Sequence, residues 1–263
     1  MGSDYDTSTG LWDDSSGNDQ DAQLRSGVDK SAFTLTTTPS SPTAVQNDGS
    51  DTSGNPVCMD FTRDSALNGP GFTIQAVIRL DAGNTSNKGQ GPIWMNGTDW
   101  SEVKFGTRLH GEGDSHMYVR AGSQGSQSGA LMYDSATGIQ NVAAGTWLVA
   151  TMLADTSANK MTVTYDLLSN GDNVKTLTDT GSSGNIRDLY AAGALFTGNG
   201  NGTSESNWHG AIADLVVYNF TLSSAELAAN KKFFYDTYQV PEPATLALLA
   251  LGGVGLILSR KRR

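Results

Sequence analysis

The sequence has little cysteine and little histidine, the residues on which many catalytic and metal centres depend. Cys58 is its one cysteine, so the chain forms no internal disulfide and no cysteine metal site, and we expect Cys58 to be buried. The three histidines are His110, His116 and His209, and no serine or cysteine motif accompanies them. His110 and His116 are spaced to meet across a hairpin, but three scattered histidines argue against a transition-metal site.

Basic charge is also scarce. Charged residues make up 17% of the 263 residues, and the formal net charge is −10. An acidic surface argues against nucleic-acid binding and against charge-driven adhesion to anionic lipid. It is compatible with a secreted protein and with cation binding.

Short apolar runs and polar turns fill most of the chain. Residues 72–80 (FTIQAVIRL) alternate between two faces, which predicts a half-buried strand. Residues 36–55 are rich in Ser, Thr, Asp, Gly and Pro and predict a long loop. Ser223 and Glu226 form a capping-box pattern, which predicts a helix to about Tyr238. Repeated short strands between such turns favour an antiparallel β-sandwich.

The C-terminus has a membrane-like pattern. Residues 244–259 are an uncharged, mostly apolar run of 16 residues, which as a helix spans roughly 24 Å. The hydrocarbon core is about 30 Å thick, and snorkelling basic side chains would bridge the difference. The basic end favours the cytoplasmic side, with the preceding chain outside. The alternative is a buried core helix.

The same tail resembles a known sorting signal. Pro241, Glu242 and Pro243, the apolar run and the basic end formed by Arg260, Lys261, Arg262 and Arg263 are similar to the bacterial PEP-CTERM protein-sorting signal. The resemblance implies processing by an exosortase, a membrane transpeptidase, and an exported protein of the envelope or the extracellular matrix. Residues 1–10 have no basic or apolar leader segment, so we interpret the sequence as starting after a removed or mis-called leader. A true start at Met1 would weaken the export argument.

Several segments of the body, taken together, resemble the LamG-like, concanavalin A-like jelly-roll superfamily. They are 12–18, 57–61, 72–76, 145–150, 161–165, and 208–218 with the capped helix after it. The resemblance implies two curved antiparallel sheets, with carbohydrate or protein ligands on the concave face or at the loop rim, and calcium in many members. We therefore predict an all-β jelly roll over 11–239, after a polar segment 1–10 and before the sorting signal 240–263 with its separate transmembrane helix.

One acidic loop is a candidate calcium site. It contains Asp14, Asn18, Asp19 and Asp21, and calcium prefers six to eight oxygen ligands of this kind. The alternative is an ordinary turn, because Asp and Asn side chains bond their own backbone.

Carbohydrate-binding side chains are predicted from their context. Trp100 lies in a polar loop and is the candidate for stacking on a sugar ring, while Tyr118 and Arg120 alternate with apolar residues and would share a polar sheet face. The other tryptophans are expected to be structural: Trp12, Trp94, Trp147 and Trp208.

We predict a protein without catalytic activity. Glucanases of the resembled superfamily place two glutamates on one strand, and this chain has no Glu-x-Asp-x-Glu run; Glu112 with Asp114 is the nearest approach to a pair. The predicted function is binding to carbohydrate or structural association with an extracellular polysaccharide matrix or the envelope. A structural protein-binding or self-associating module and a divergent glycoside hydrolase are the alternatives.

Overall fold

The described residues fold into two antiparallel β-sheets and one α-helix. The computed structural model describes residues 4–16, 20–24, 26–40, 42–47, 58–61, 71–81, 93–95, 103–110, 114–121, 130–133, 143–155, 157–179, 193–196 and 209–239.

One sheet has nine strands. In chain order they are β1 (Tyr5–Asp6), β2 (Leu11–Trp12), β3 (Ala22–Leu24), β6 (Met59–Phe61), β8 (Ile93–Met95), β9 (Val103–His110), β10 (Asp114–Ala121), β11 (Ala130–Tyr133) and β15 (Gly193–Leu195). Their order across the sheet is β1-β2-β3-β6-β15-β8-β9-β10-β11. Because β1 pairs with β2 and Tyr5 is buried, the sandwich includes residues that precede Leu11.

The other sheet has seven strands. In chain order they are β4 (Phe33–Thr37), β5 (Thr43–Asn47), β7 (Gly71–Leu80), β12 (Trp147–Asp155), β13 (Lys160–Leu167), β14 (Asn173–Asp179) and β16 (Gly210–Tyr218). Their order is β14-β13-β12-β7-β16-β5-β4, with β7 at the centre. Strands that neighbour each other in space but not in sequence, as β7 does with β12 and β16, are typical of sandwiches with crossing connections.

The main core contains residues of both sheets. Met59 and Leu195 of the nine-stranded sheet lie in one cluster with Phe72 and Ile74 of the seven-stranded sheet, and all four are at most 3% exposed. Burial of these side chains supplies most of the driving force for joining the sheets. Trp12, Trp147 and Cys58 are buried, which confirms these three predictions.

The prediction that residues 72–80 form a half-buried strand was wrong about burial. Thr73, Gln75 and Val77, the residues expected on the open face of β7, are completely buried. The reason is the helix α1 (Ser224–Tyr238), which belongs to a second apolar cluster on the far side of the sheet from the main core. A strand pattern cannot show that a distant helix covers its polar face.

Helix α1 itself was predicted correctly. Ser223 is its N-cap: the Ser223 hydroxyl accepts from the Glu226 backbone N–H, and the Glu226 carboxylate accepts from the Ser223 N–H. This reciprocal pair satisfies two backbone donors that a helix start leaves unpaired.

The long loop predicted at 36–55 was wrong in its first half. β4 ends at Thr37, and β5 at Thr43–Asn47 pairs with it across a short turn. Ala44 and Val45 are completely buried, so packing in the sheet outweighs the turn-like composition of this stretch.

The predicted transmembrane helix at 244–259 lies outside the described residues. Within the described part of the chain, no helix combines the length and the apolar character that a membrane crossing needs.

Candidate functional site

The outer face of the seven-stranded sheet is closed by α1. Phe234 and Tyr238 are each 1% exposed and pack with Trp147 and Val149 in the second apolar cluster. Where the helix lies, this face is occupied by the protein itself and does not offer a ligand surface.

Polar side chains beneath α1 are paired with one another. Asn230 Nδ2 donates to Gln75 Oε1 at 2.8 Å and to Tyr218 Oη at 2.9 Å, and Gln75 Nε2 donates to Thr151 Oγ1 at 3.2 Å. Gln75 and Thr151 are at most 1% exposed. Buried polar side chains without hydrogen-bond partners would destabilise the fold. The network supplies these partners, so the helix can cover the polar face of the strand.

Two buried carboxylates also hold the helix. Lys231 Nζ lies 2.5 Å from Asp166 Oδ2, and Asn173 Nδ2 donates to the other oxygen at 2.8 Å. Tyr238 Oη donates to Asp214 Oδ2 at 2.9 Å. Both carboxylates are at most 5% exposed, and each has its partner on α1, so they serve helix docking.

Burial controls the electrostatics of the Asp214–Tyr238 pair. Loss of solvent raises the pKa of Asp214, and the hydrogen bond from Tyr238 opposes this shift without cancelling it. Burial, and next the charge of Asp214, raise the pKa of Tyr238. The phenol therefore remains a hydrogen-bond donor at neutral pH.

The last turn of α1 is tied to the body of the domain. Ser40 Oγ donates to the Thr237 carbonyl at 2.6 Å, and Gln239 Nε2 donates to the Ser169 carbonyl. Pro241 follows Gln239 by two residues, a reach of about 7 Å in an extended chain. The predicted sorting residues 241–243 and 260–263 lie outside the described residues, and their role stays a prediction.

The nine-stranded sheet has a face that is distinct from the core. Residues that pair from strand to strand form a row across the sheet. The row that contains the core residues Met59 and Leu195 also contains Ile93, Phe105 and Val119. The adjacent row belongs to the opposite face, because neighbouring residues of a strand alternate. Its members, in order across the sheet, are Gln23, Asp60, Ala194, Trp94, Lys104, Arg120 and Leu131. Gln23 in this row is exposed.

Strands β9 and β10 separate their residues cleanly between the two faces. The rows that share the face of Asp60 contain Lys104, Gly106, Arg108 and His110 of β9, and Asp114, His116, Tyr118 and Arg120 of β10. The rows that share the face of the core contain Val103, Phe105, Thr107 and Leu109, and Ser115, Met117, Val119 and Ala121. The register thus groups the basic residues and Tyr118 in one set of rows and mostly apolar residues in the other.

The register places the predicted sugar-binding residues relative to one another. Tyr118 pairs with Gly106 on one side and Tyr133 on the other, while Arg120 pairs with Lys104 and Leu131. Trp100 lies outside the described residues, so the structure does not connect it to this face. That Tyr118 and Arg120 bind carbohydrate stays a prediction.

Register also adds residues that sequence analysis did not single out. Trp94, expected to be structural, lies in the same row as Lys104 and Arg120. His110 pairs with Asp114, whereas His116 pairs with Arg108, so the two histidines are not direct cross-strand partners. Alternation within 103–110 and 114–121 was the available signal, but it cannot show which strands are neighbours.

The acidic loop is held by its own hydrogen bonds. Asp21 Oδ1 accepts from the Asp14 backbone N–H at 2.8 Å, and the Asp14 carboxylate accepts from the Ser16 and Gln20 backbone N–H groups at 2.8 and 3.2 Å. This is the geometry of a turn stabilised by aspartate side chains. Asn18 and Asp19 lie outside the described residues, and among the described ones no cluster of three or more metal-ligating side chains occurs. The calcium site stays a prediction.

Comparison with known families matches two parts of the chain. Residues 51–228 match the family model described as the concanavalin A-like lectin/glucanases superfamily, and residues 239–263 match the PEP-CTERM protein-sorting motif. The chain belongs to the concanavalin A-like lectin/glucanase superfamily. The sorting motif implies processing by an exosortase, a membrane enzyme, and an exported, envelope-associated protein. No curated protein matches the chain.

Solved structures share the fold at low identity. The enzymatically active domain of tailspike protein 2 from bacteriophage CBA120 is similar with a TM-score of 0.53 and 13% identity, over 80% of this chain and 30% of the tailspike chain. Trypanosoma rangeli sialidase in complex with sialic acid is similar with a TM-score of 0.50 and 10% identity, over 84% of this chain and 31% of the sialidase. This chain thus spans less than a third of either protein, and the likeness concerns the fold alone.

Proposed function

Because a member of the concanavalin A-like superfamily is here joined directly to a sorting signal, we propose that the chain is a non-catalytic carbohydrate-binding protein of the cell envelope or the extracellular matrix. The observation that carries the proposal is the junction at Gln239. Helix α1 is part of the sandwich and ends at Tyr238, and the sorting motif begins at residue 239. The sorting system would therefore deliver the β-sandwich itself.

Three of the described carboxylates have structural roles and are therefore poor candidates for hydrolysis. Retaining glycosidases need two carboxyl groups about 5 Å apart in an accessible cleft. Asp166 and Asp214, the buried carboxylates among the described residues, lie under α1 and bond to it. Glu226 is engaged as a helix cap.

A glycoside hydrolase is the second candidate, because proteins of similar fold include a sialidase and the enzymatically active domain of a tailspike. A self-associating structural module is the third. It would show oligomers and no response to glycans.

Co-sedimentation tests the proposal. The full chain in a mild non-ionic detergent is mixed with insoluble and matrix polysaccharides, with and without a calcium chelator, and released sugar is measured in the same tubes. Binding without sugar release is expected. Sugar release would favour the hydrolase, and absence of binding to every glycan would overturn the proposal.

The chelator arm addresses the predicted calcium loop. If calcium organises residues 14–21 for binding, chelation should abolish sedimentation, and Asp21→Asn should do the same. Binding that persists in chelator would refute the calcium prediction and leave the carbohydrate proposal intact.

A further inference from the structure

We propose that the end of α1 must undock from the sandwich before an exosortase can process the sorting signal. We call residues 236–239 the last turn; they comprise the final residues of α1 and its C-cap Gln239. The inference rests on the delivery of the chain by its sorting motif, which is one part of the proposed function. It is independent of the glycan that the domain binds.

The last turn is tied to three separate parts of the sandwich. Its three bonds join Ser40 Oγ to the Thr237 carbonyl, Tyr238 Oη to Asp214 Oδ2, and Gln239 Nε2 to the Ser169 carbonyl. The partners lie in the turn between β4 and β5, in β16, and in the turn between β13 and β14. Helix ends and the residues after them commonly fray unless other contacts hold them. Here consecutive residues are each bonded to the body of the domain, so the end of α1 is held closed.

Tyr238 is the most firmly held residue of the last turn. Its side chain is 1% exposed and belongs to the second apolar cluster with Phe234 and Trp147. Its hydroxyl donates to the buried Asp214 carboxylate. Opening would expose the ring to water and separate the two polar groups, so both apolar and polar contacts oppose it. While the turn is docked, another enzyme has no access to this side chain.

The sorting motif begins close to this closed turn. Pro241 follows Gln239 by two residues, a reach of about 7 Å in an extended chain. Enzymes that cut or join peptide chains act at exposed, adaptable segments, and recognition clefts commonly hold a peptide in extended form. A cleft that takes in the residues before Pro241 therefore needs 238 and 239, which are packed and bonded to the sandwich. Freeing the last turn would lengthen the reach from Tyr235 to Pro241 to about 20 Å.

Docking of the last turn would then set the rate of processing. When a segment opens and closes faster than an enzyme acts on it, the rate follows the fraction of molecules in which the segment is open. Contacts inside the sandwich, far from the sorting residues in sequence, thereby determine how long the chain keeps its tail. A well-packed α1 should delay release, and a loosened one should hasten it.

The test follows release of the tail from the full chain, co-expressed with an exosortase in a bacterial host. Tyr238→Phe and Ser40→Ala each remove one bond of the last turn and leave the sorting motif unchanged. The control Ser157→Ala removes a comparable hydroxyl bond, to Asp155 in the turn between β12 and β13. The control Ile74→Val weakens the main core, which lies on the other side of the sheet from α1.

An insertion separates access to the motif from simple loss of stability. A Gly-Ser linker of about eight residues between Gln239 and Val240 lengthens the reach and leaves every bond of the last turn in place. The insertion should speed release by at least as much as Tyr238→Phe does. Adding Tyr238→Phe to the insertion should then change the rate no further, because opening is no longer needed.

The expected effects are measured as rates. Tyr238→Phe and Ser40→Ala should each release the tail about 3- to 10-fold faster than the parent chain, the effect of one lost hydrogen bond on the opening equilibrium. Hydrogen exchange of the amides at 237–239 should accelerate by a similar factor in the full chain. Ser157→Ala and Ile74→Val should match the parent in both measurements.

Other outcomes overturn the inference in distinguishable ways. Equal release from the parent, Tyr238→Phe and the insertion variant would refute control by the last turn. Slower release after loosening would show that docking presents the motif to the enzyme. Absence of release from every variant, the insertion included, would refute both exosortase delivery and this inference, whereas co-sedimentation with glycans decides the carbohydrate proposal separately. If Tyr238→Phe does not fold, Ser40→Ala and the insertion variant decide between the same outcomes.

Discussion

Replacement of two adjacent phenylalanines tests how α1 is held on the sheet. Phe234 is 1% exposed and lies in the cluster between helix and sheet, whereas Phe233 is 44% exposed. The two substitutions Phe234→Ala and Phe233→Ala make the same chemical change one residue apart in the same helix. Only their burial differs.

The expected free-energy losses follow from that burial. Phe234→Ala removes a fully buried ring and leaves a cavity, which costs about 3–5 kcal/mol. Phe233 is roughly half exposed, so it loses about half of the 1.5–3 kcal/mol for burying such a side chain, and alanine returns about 0.5 kcal/mol of helix propensity. The expected cost of Phe233→Ala is therefore about 0.3–1 kcal/mol.

Urea unfolding of the full chain in a mild non-ionic detergent measures both losses. Trp147 lies in the same cluster as Phe234, so its fluorescence should report undocking of the helix at lower urea in Phe234→Ala. Hydrogen exchange in α1 should speed up in that variant and stay unchanged in Phe233→Ala, because weakened elements open locally before the whole domain unfolds. Equal losses in the two variants would refute the proposed docking of the helix through Phe234.

Three further perturbations have defined outcomes. Lys231→Met should cost about 2 kcal/mol in the same urea titration, because it leaves the buried Asp166 carboxylate with one partner fewer. Lys232→Met changes a side chain that is 74% exposed and should cost less than about 0.5 kcal/mol. Similar costs would contradict the role of the Lys231–Asp166 pair in holding the helix. Burial raises the pKa of Asp214, so the folded state favours its protonated form, and that contribution to stability is complete below about pH 4 and lost as pH rises through the raised pKa. The stability of Asp214→Asn relative to the parent should therefore increase from pH 4 to pH 7, and a difference independent of pH would show that the carboxyl is not perturbed. Gly71→Ala would place a Cβ 2.5 Å from the Thr221 hydroxyl and 2.7 Å from the Ala154 carbonyl of β12. We expect this crowding to lower the free energy of unfolding by about 1–3 kcal/mol, measured by thermal unfolding. An unchanged melting temperature would show that β7 and β12 move apart there at little cost.

Local chemistry made several features predictable from the sequence. The capping box at Ser223 is read within four residues, and it placed the start of α1 correctly. Strand β7 follows from the alternation of residues 72–80, which is also local information. The sorting motif is a linear signal at the chain end, and its match needs no fold at all.

Where sequence reasoning was wrong, distant segments decided the outcome. β7 has the pattern of a half-buried strand, yet Thr73 and Gln75 are completely buried. Their partners lie some 150 residues later: the Leu222 N–H donates to Thr73, and Asn230 of α1 donates to Gln75. The stretch at 43–47 has the composition of a loop but is held as a strand by pairing with β4 and β16. Pairing and burial of this kind depend on partners that a local pattern does not contain.

The arrangement of the two sheets shows the same division between local and distant causes. Alternation within the sequence predicted that Tyr118 and Arg120 share a sheet face, and the tail predicted the sorting motif that the family comparison matches. The tertiary structure alone decided that β8, β9 and β10 are neighbours and that the polar face of β7 is closed by α1. The physical reason is that strand order and register arise from burying apolar surface across the whole sandwich, which joins residues that no local spacing relates.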